Sequence, residues 1–128
     1  MPHGTCGVVS FELKGGREAA GTFMKHLKLA AIETHVADAR TCCLNPASST
    51  HRQMTDKQLA AAGIPAGLVR MSCGLESKQD LIGDIAQALD QVRRQEARKA
   101  DAEDRYGKLN QAFREAAAAG ITAADALT

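Results

Sequence analysis

Leu68-Val69-Arg70-Met71-Ser72-Cys73-Gly74-Leu75-Glu76 is the stretch on which the architecture turns. Val69, Met71 and Cys73 share one face, and Leu68, Arg70 and Ser72 share the other, which is the period of a β-strand; Gly74 ends it. Immediately after, Ser77 and Asp80 form a capping box, and Leu81, Ile82, Ile85, Leu89 and Val92 fall on one helical stripe. A strand followed by an amphipathic helix implies that the helix packs on the sheet.

Upstream the same logic yields more elements. Thr55 and Gln58 make a Thr-x-x-Gln capping box, and Gly63-Ile64-Pro65 supplies a stop, predicting a short helix over 56–62. Arg40 to Leu44 is a short strand, ended by Asn45-Pro46, and Pro46 to Thr50 is small, polar and loop-like. Leu29 to Val36, with β-branched Ile32, Thr34 and Val36, is predicted as another strand. Ala19, Ala20, Phe23, Met24 and Leu27 place an amphipathic helix over 17–27, set off by Gly15-Gly16 from a first strand, Gly7 to Leu13.

Downstream of Val92 the pattern changes, because Arg93-Arg94-Gln95-Glu96-Ala97-Arg98-Lys99 has no apolar stripe to join that core. A boundary is placed there, giving a domain over 1–92 and a charged, alanine-rich helical tail over 93–128. In the tail, Tyr106, Leu109, Phe113 and Ala116 recur at steps of three and four from Ala102 to about Ala119, with Gly120 as the stop. The expected fold is α+β: two layers, helices covering one face of a mainly antiparallel sheet, plus the tail.

The 128 residues suit a single core, but three Phe, one Tyr and no Trp make it aliphatic and alanine-rich. A net charge of +1 gives no global attraction to nucleic acid or an anionic membrane. No run of some 18 apolar residues exists, and Glu12, Lys14, Arg17 and Glu18 occupy the place of a signal-peptide core, so a soluble, cytoplasmic protein is expected. Cys6, Cys42, Cys43 and Cys73 read as reduced thiols. His3 with Cys6 is the only close pair of potential metal ligands, and no second pair accompanies it, so no metal is expected.

Arg70 requires an explanation, since a guanidinium in mid-strand is costly to bury alone. A salt bridge to Glu12 or Asp38, or snorkelling to solvent, would suffice. An anchor for a carboxylate ligand would serve equally, and periodicity does not choose between them.

Three ordered motifs carry a resemblance: Ser10-Phe11-Glu12-Leu13-Lys14-Gly15-Gly16, then Asn45-Pro46-Ala47-Ser48-Ser49-Thr50-His51, then Gly63-Ile64 leading to Leu68 through Glu76. Over residues 4 to 92 the chain resembles the C-terminal domain of the Cys/Met-metabolism pyridoxal-phosphate enzymes. His35 to Cys42 and Thr50 to Thr55 look most like the O-acetylhomoserine sulfhydrylase branch; cystathionine synthases and lyases and methionine γ-lyases share the same frame. The resemblance implies a transferase or lyase of methionine biosynthesis and transsulfuration, in which pyridoxal phosphate acts as electron sink while sulfide or methanethiol replaces acetate on O-acetylhomoserine. It implies that Arg70 holds the substrate carboxylate, with His35, Ser48 and Thr50 nearby. For Ser48 and Thr50 a turn-capping role is an equal alternative, as is a backbone-bonded strand end for His35.

The loop motif of the family begins with His where this chain has Asn45, so the hydrogen bonds of that turn are expected to differ. The Schiff-base lysine of the family lies in a large domain with a Ser-x-Thr-Lys or similar motif, and no lysine here has that context. The expectation is that the cofactor is held by a large domain or subunit acting as partner, in a homo-oligomeric full enzyme, and that this chain alone has no catalytic or cofactor-binding residue. Two non-enzymatic readings compete: a truncated paralogue acting as an interaction module through its tail, and a free-standing amino-acid-binding domain.

Overall fold

The computed structural model describes residues 6–119. In chain order it contains β1 (Val8–Glu12), α1 (Gly16–His26), β2 (Ala31–Ile32), β3 (Cys42–Leu44), a 3-10 turn (Pro46–Ser48), α2 (Asp56–Ala61), β4 (Leu68–Ser72) and α3 (Lys78–Ala118). The sheet order is β1-β4-β3-β2. β4 is antiparallel to both neighbours, with Ser10 and Leu44 opposite Arg70, and the short β2–β3 pair is parallel. The expected α+β class and mainly antiparallel sheet are what the fold shows. His3 and Gly120 lie outside the described residues.

Side-chain alternation puts Val69, Met71, Cys43 and Phe11 on the face that meets α1 and the first turns of α3. There they pack with Ala19, Ala20, Phe23 and Met24 of α1 and with Ala88 and Val92 of α3. The small residues let helix and sheet approach closely, and the Phe11 and Phe23 rings meet edge to face at 5.7 Å between centroids. α2 is framed as its sequence requires. Thr55 and Gln58 exchange the two capping-box hydrogen bonds. At the other end Gly63, at φ 71°, allows its own N–H to reach Ala60 O at 3.0 Å and that of Ile64 to reach Leu59 O at 2.9 Å.

Asp84 is a buried polar residue on α3, 7% exposed. Its carboxylate accepts hydrogen bonds from the N–H groups of Lys28 (2.8 Å), Leu29 (2.9 Å) and Ala30 (3.0 Å), and from the Gln87 amide (3.1 Å). Burial is the largest single influence on the carboxyl and pushes its pKa up, but the donors from Ala30, Lys28, Leu29 and Gln87 together outweigh it and hold it below the ordinary value. The turn between α1 and β2 is thereby tied to α3.

Three sequence expectations are corrected. The strand expected over Leu29 to Val36 is reduced to Ala31–Ile32, because the following backbone leaves the sheet and turns, with Ala37 at φ 58°. Cys73, expected to join Val69 and Met71 in the core, is exposed just beyond the last residue of β4. The helical tail is not a separate helix: α3 is one helix of 41 residues that runs through the boundary placed after Val92, because Arg, Gln, Glu, Ala and Lys are strong helix formers and no proline intervenes. By contact the chain divides into two compact units after Arg93.

Replacing Asp84 with Ala should cost ~1–3 kcal/mol of stability, because three clustered N–H groups lose their acceptor. Because the folded pKa is depressed, this contribution is complete above the unfolded carboxyl pKa of ~4 and is lost as pH falls through the lower folded value. Chemical denaturation at neutral and acidic pH checks both points: Asp84→Ala should be less stable than wild type at pH 7, and the gap should narrow in acid.

Candidate functional site

Beyond β2 the backbone of residues 34–40 has no strand partner, and the motif Arg70-x-Ser72-x-Gly74-x-Glu76 holds it through every second residue. Arg70 donates from a terminal guanidinium nitrogen to Thr34 O at 2.7 Å. Ser72 Oγ accepts the N–H of Ala37 at 2.9 Å. The carboxylate of Glu76 receives the N–H of Thr41 at 2.8 Å and its hydroxyl at 2.7 Å, and Thr41 Oγ1 in turn accepts the N–H of Gly74 at 2.9 Å. The N–H of Leu75 completes the set at Ala39 O, 2.8 Å away.

Gly74 is required by proximity. A Cβ there would lie 2.6 Å from Thr41 N and closer still to Ala39 O and Arg40 C. The N–H of Thr41, then its hydroxyl, holds the carboxyl of Glu76 below its ordinary pKa. The acceptor is therefore ionised at neutral pH and the grip is charge-assisted.

Arg70 is half-buried, on the sheet face opposite the core. Neither Glu12 nor Asp38 pairs with it: among the described residues no carboxylate forms a salt bridge to this guanidinium, and the Asp38 carboxylate instead accepts the N–H of Arg40 at 3.2 Å. Its Nε is buried and has no hydrogen-bond partner. The face is not simply open, as expected from alternation, because the 34–40 loop covers Ser72, which is 2% exposed.

The other candidates lie on loops flanking this strand. His35 follows the carbonyl that Arg70 binds; it is exposed, and its Nδ1 sits 3.0 Å from a Glu33 carboxylate oxygen, not on backbone. Ser48 is engaged by Asn45, whose side-chain oxygen accepts both its N–H (3.0 Å) and its hydroxyl (2.6 Å). The Asn45 amide donates to Ala66 O (3.0 Å) and Leu68 O (2.7 Å), so the expected difference at this turn takes the form of a buried, fully used amide anchoring the loop to the start of β4. Thr50 Oγ1 lies 2.8 Å from Nδ1 of the adjacent His51. Arg17 braces the loop from below, bonding Asp56 at 2.8 Å and the carbonyl of Ala47.

Sequence reasoning missed Thr41, Ser72 and Glu76 as the partners that shape the site. The signal was present in the alternation of Arg70, Ser72, Gly74 and Glu76 through β4 and the segment just past it. Lys14, Lys25, Lys28, Lys57, Lys78, Lys99 and Lys108 are all exposed. An open, mainly apolar groove of about 620 Å³, lined by Val9, Phe11, Met71, Ile82 and Ile85 with Glu76 and Lys78 among its lining residues, lies on the core side of the sheet. Glu33, Asp38 and Cys42 offer ligand atoms within 4.8 Å of one another; burial first, then the neighbouring carboxylates, push the Cys42 thiol above its ordinary pKa. No described helix is long and apolar enough to cross a membrane.

Comparison with known proteins agrees with this frame. An L-methionine γ-lyase of Fusobacterium nucleatum subsp. polymorphum is 45% identical over 85 residues, 66% of this chain and 22% of that protein. O-acetyl-L-homoserine sulfhydrylase 1 of Thermus thermophilus is 44% identical over 82 residues, 64% of this chain and 20% of that protein. A crystal structure from Campylobacter jejuni, described as an O-acetylhomoserine (thiol)-lyase with an N′-pyridoxyl-lysine-5′-monophosphate, superposes with a TM-score of 0.58 at 36% identity, covering 66% of this chain and 20% of that one. The chain thus spans about a fifth of the length of these relatives. The family model described as Cys/Met metabolism PLP-dependent enzyme matches residues 1–90, and the chain belongs to that pyridoxal-phosphate-dependent family.

Proposed function

We propose that this chain supplies the substrate-carboxylate-binding part of a pyridoxal-phosphate enzyme acting at the γ-carbon of an amino acid, with O-acetylhomoserine as substrate and the cofactor lysine on another polypeptide region. The observation that carries the reading is Arg70. It is a half-buried guanidinium with one carbonyl partner, an unpartnered Nε and, among the described residues, no carboxylate in a salt bridge with it. A bidentate substrate carboxylate would satisfy the donors that the protein leaves unused.

Pyridoxal phosphate, when held by the large domain, would supply the electron sink. What this chain does is orient. The 34–40 loop, fixed by Ser72, Gly74 and Glu76, presents the Thr34 carbonyl that aims the guanidinium, and Asn45 holds the Ser48–Thr50 loop beside the same strand. On this reading His35, exposed beside the carbonyl that Arg70 binds, contacts the substrate. Methionine γ-lyases match as well as sulfhydrylases do, so elimination at the γ-carbon is the second reading. Residues 1–92 constitute the family domain on this proposal, and 93–128 is an appendage beyond it.

Replacing the matching C-terminal segment of the Thermus thermophilus sulfhydrylase with residues 6–92 should give an active chimera. In it Arg70→Ala should raise KM for O-acetylhomoserine roughly 10- to 100-fold, the equivalent of ~1.5–3 kcal/mol for a charge-assisted hydrogen-bond pair. An unchanged KM would remove Arg70 from the site. Glu76→Gln should raise KM severalfold with little change in kcat and accelerate amide exchange at Ala37 and Thr41. The full 128-residue chain, incubated with pyridoxal phosphate and then borohydride, should show no lysine-specific adduct by peptide mass spectrometry. A stoichiometric adduct on one lysine would overturn the assignment of the cofactor to another region.

A further inference from the structure

Between Asn45 and α2 the chain makes local turns: the N–H groups of Ser49 and His51 bond Pro46 O at 3.3 and 2.9 Å, and that of Met54 bonds His51 O at 3.0 Å. Such turns set the shape of the segment, not its attachment. Asn45 fixes where it begins, next to Leu44, which stands opposite Arg70 in the sheet. Arg17 holds both of its limbs. Its Nη1 donates to Ala47 O, its Nη2 to Met54 O at 3.4 Å, and its Nε and Nη2 to Asp56 Oδ1 at 3.2 and 2.8 Å. One planar guanidinium thereby spans two carbonyls seven positions apart in the chain, a reach that its rigid fork of donors allows and a single ammonium does not.

The anchor is itself fixed, because Ala19, Ala20, Phe23 and Met24 of α1 are packed in the core. Ala47 is buried as well, where a carbonyl has to find its donor within the protein. The Asp56 side chain is 68% exposed, and an ion pair so open to solvent contributes little by its charge. What the contact supplies is geometry.

We propose that Arg17 is a positioning residue of the substrate site: by clasping both limbs of segment 47–54 it sets where Ser48 and Thr50 stand relative to Arg70. The proposal rests on the carboxylate-binding reading above. Arg17 acts through the segment it holds and not on the substrate. Losing the clasp leaves Arg70 in place, so substrate still binds while the side chains beside it lose their aim, and the cost should fall on kcat more than on KM.

Two measurements test this. In the full 128-residue chain, Arg17→Met should speed amide hydrogen exchange at Ser49, His51 and Met54 roughly tenfold and leave Ala37 and Thr41, which Ser72 and Glu76 hold, at wild-type rates. In the sulfhydrylase chimera, Arg17→Met should lower kcat for O-acetylhomoserine roughly tenfold with KM changed less than about threefold. Arg17→Lys keeps the charge and the aliphatic stem, so it carries the test if Arg17→Met does not fold, and it should lose nearly as much. Asp56→Asn removes the ion pair but keeps an acceptor, and should lose much less. Wild-type exchange at Ser49, His51 and Met54 in Arg17→Met, wild-type kcat in Arg17→Lys, or an Asp56→Asn loss equal to that of Arg17→Met would each overturn the proposal. An unchanged KM in Arg70→Ala would instead overturn the reading of the site, and the role of Arg17 with it, whatever the exchange rates show.

Discussion

Everything around Arg70 depends on a stretch of backbone that the sheet abandons and one strand face recovers. Residues 34–40 leave the ladder after β2, and their amides and carbonyls need partners where they pass over β4. The partners come from Arg70, Ser72, Gly74 and Glu76 in turn: a guanidinium, a hydroxyl, a position without a side chain, and an ionised carboxylate. For Arg70 and Ser72 strand geometry makes this possible, because residues two apart point the same way; Gly74 and Glu76 continue the set from the irregular segment just past β4. The guanidinium is as well placed as the loop is fixed, and the loop is fixed by the guanidinium's own strand and the segment that follows it.

The opposite face is an ordinary core with a division of labour. Val69 and Met71 pack against an alanine-rich helix surface, and a single edge-to-face phenylalanine pair supplies most of the aromatic contact. The polar exception is Asp84, whose carboxylate collects three consecutive amides at the end of α1. It does for the α1–β2 turn what Glu76 does for the following loop, and both carboxyls are depressed by the N–H groups they accept. Each converts a turn with unpaired amides into a charge-assisted contact with a distant segment, at a sequence separation no local rule covers.

Much of this was legible before any coordinates. The strand from Leu68, the capped helix after Thr55 and the amphipathic helix α1 are local statements, governed by side-chain period and by donors within three residues of an acceptor, and they appear within a residue or two of their expected bounds. The strand over Leu29 to Val36 was overestimated because β-branched residues suit extended backbone whether or not a neighbour pairs with it. The boundary placed after Val92 reflected a real loss of the apolar stripe, but losing a packing face does not end a helix built of good helix formers.

The sequence by itself determined that Arg70 would stand in a strand with its back to the core, that residues 1–90 follow the frame of a pyridoxal-phosphate family, and that no lysine has the context of a cofactor lysine. Only the tertiary structure decided what Arg70 binds, that Asn45 consumes the hydroxyl of Ser48, and that Glu76 and Thr41 lock the loop between them. The reason is the reach of the forces involved. Period and capping act over three or four residues, whereas these hydrogen bonds join groups up to some 36 positions apart, and which donors remain unpaired is known only once the chain has closed on itself.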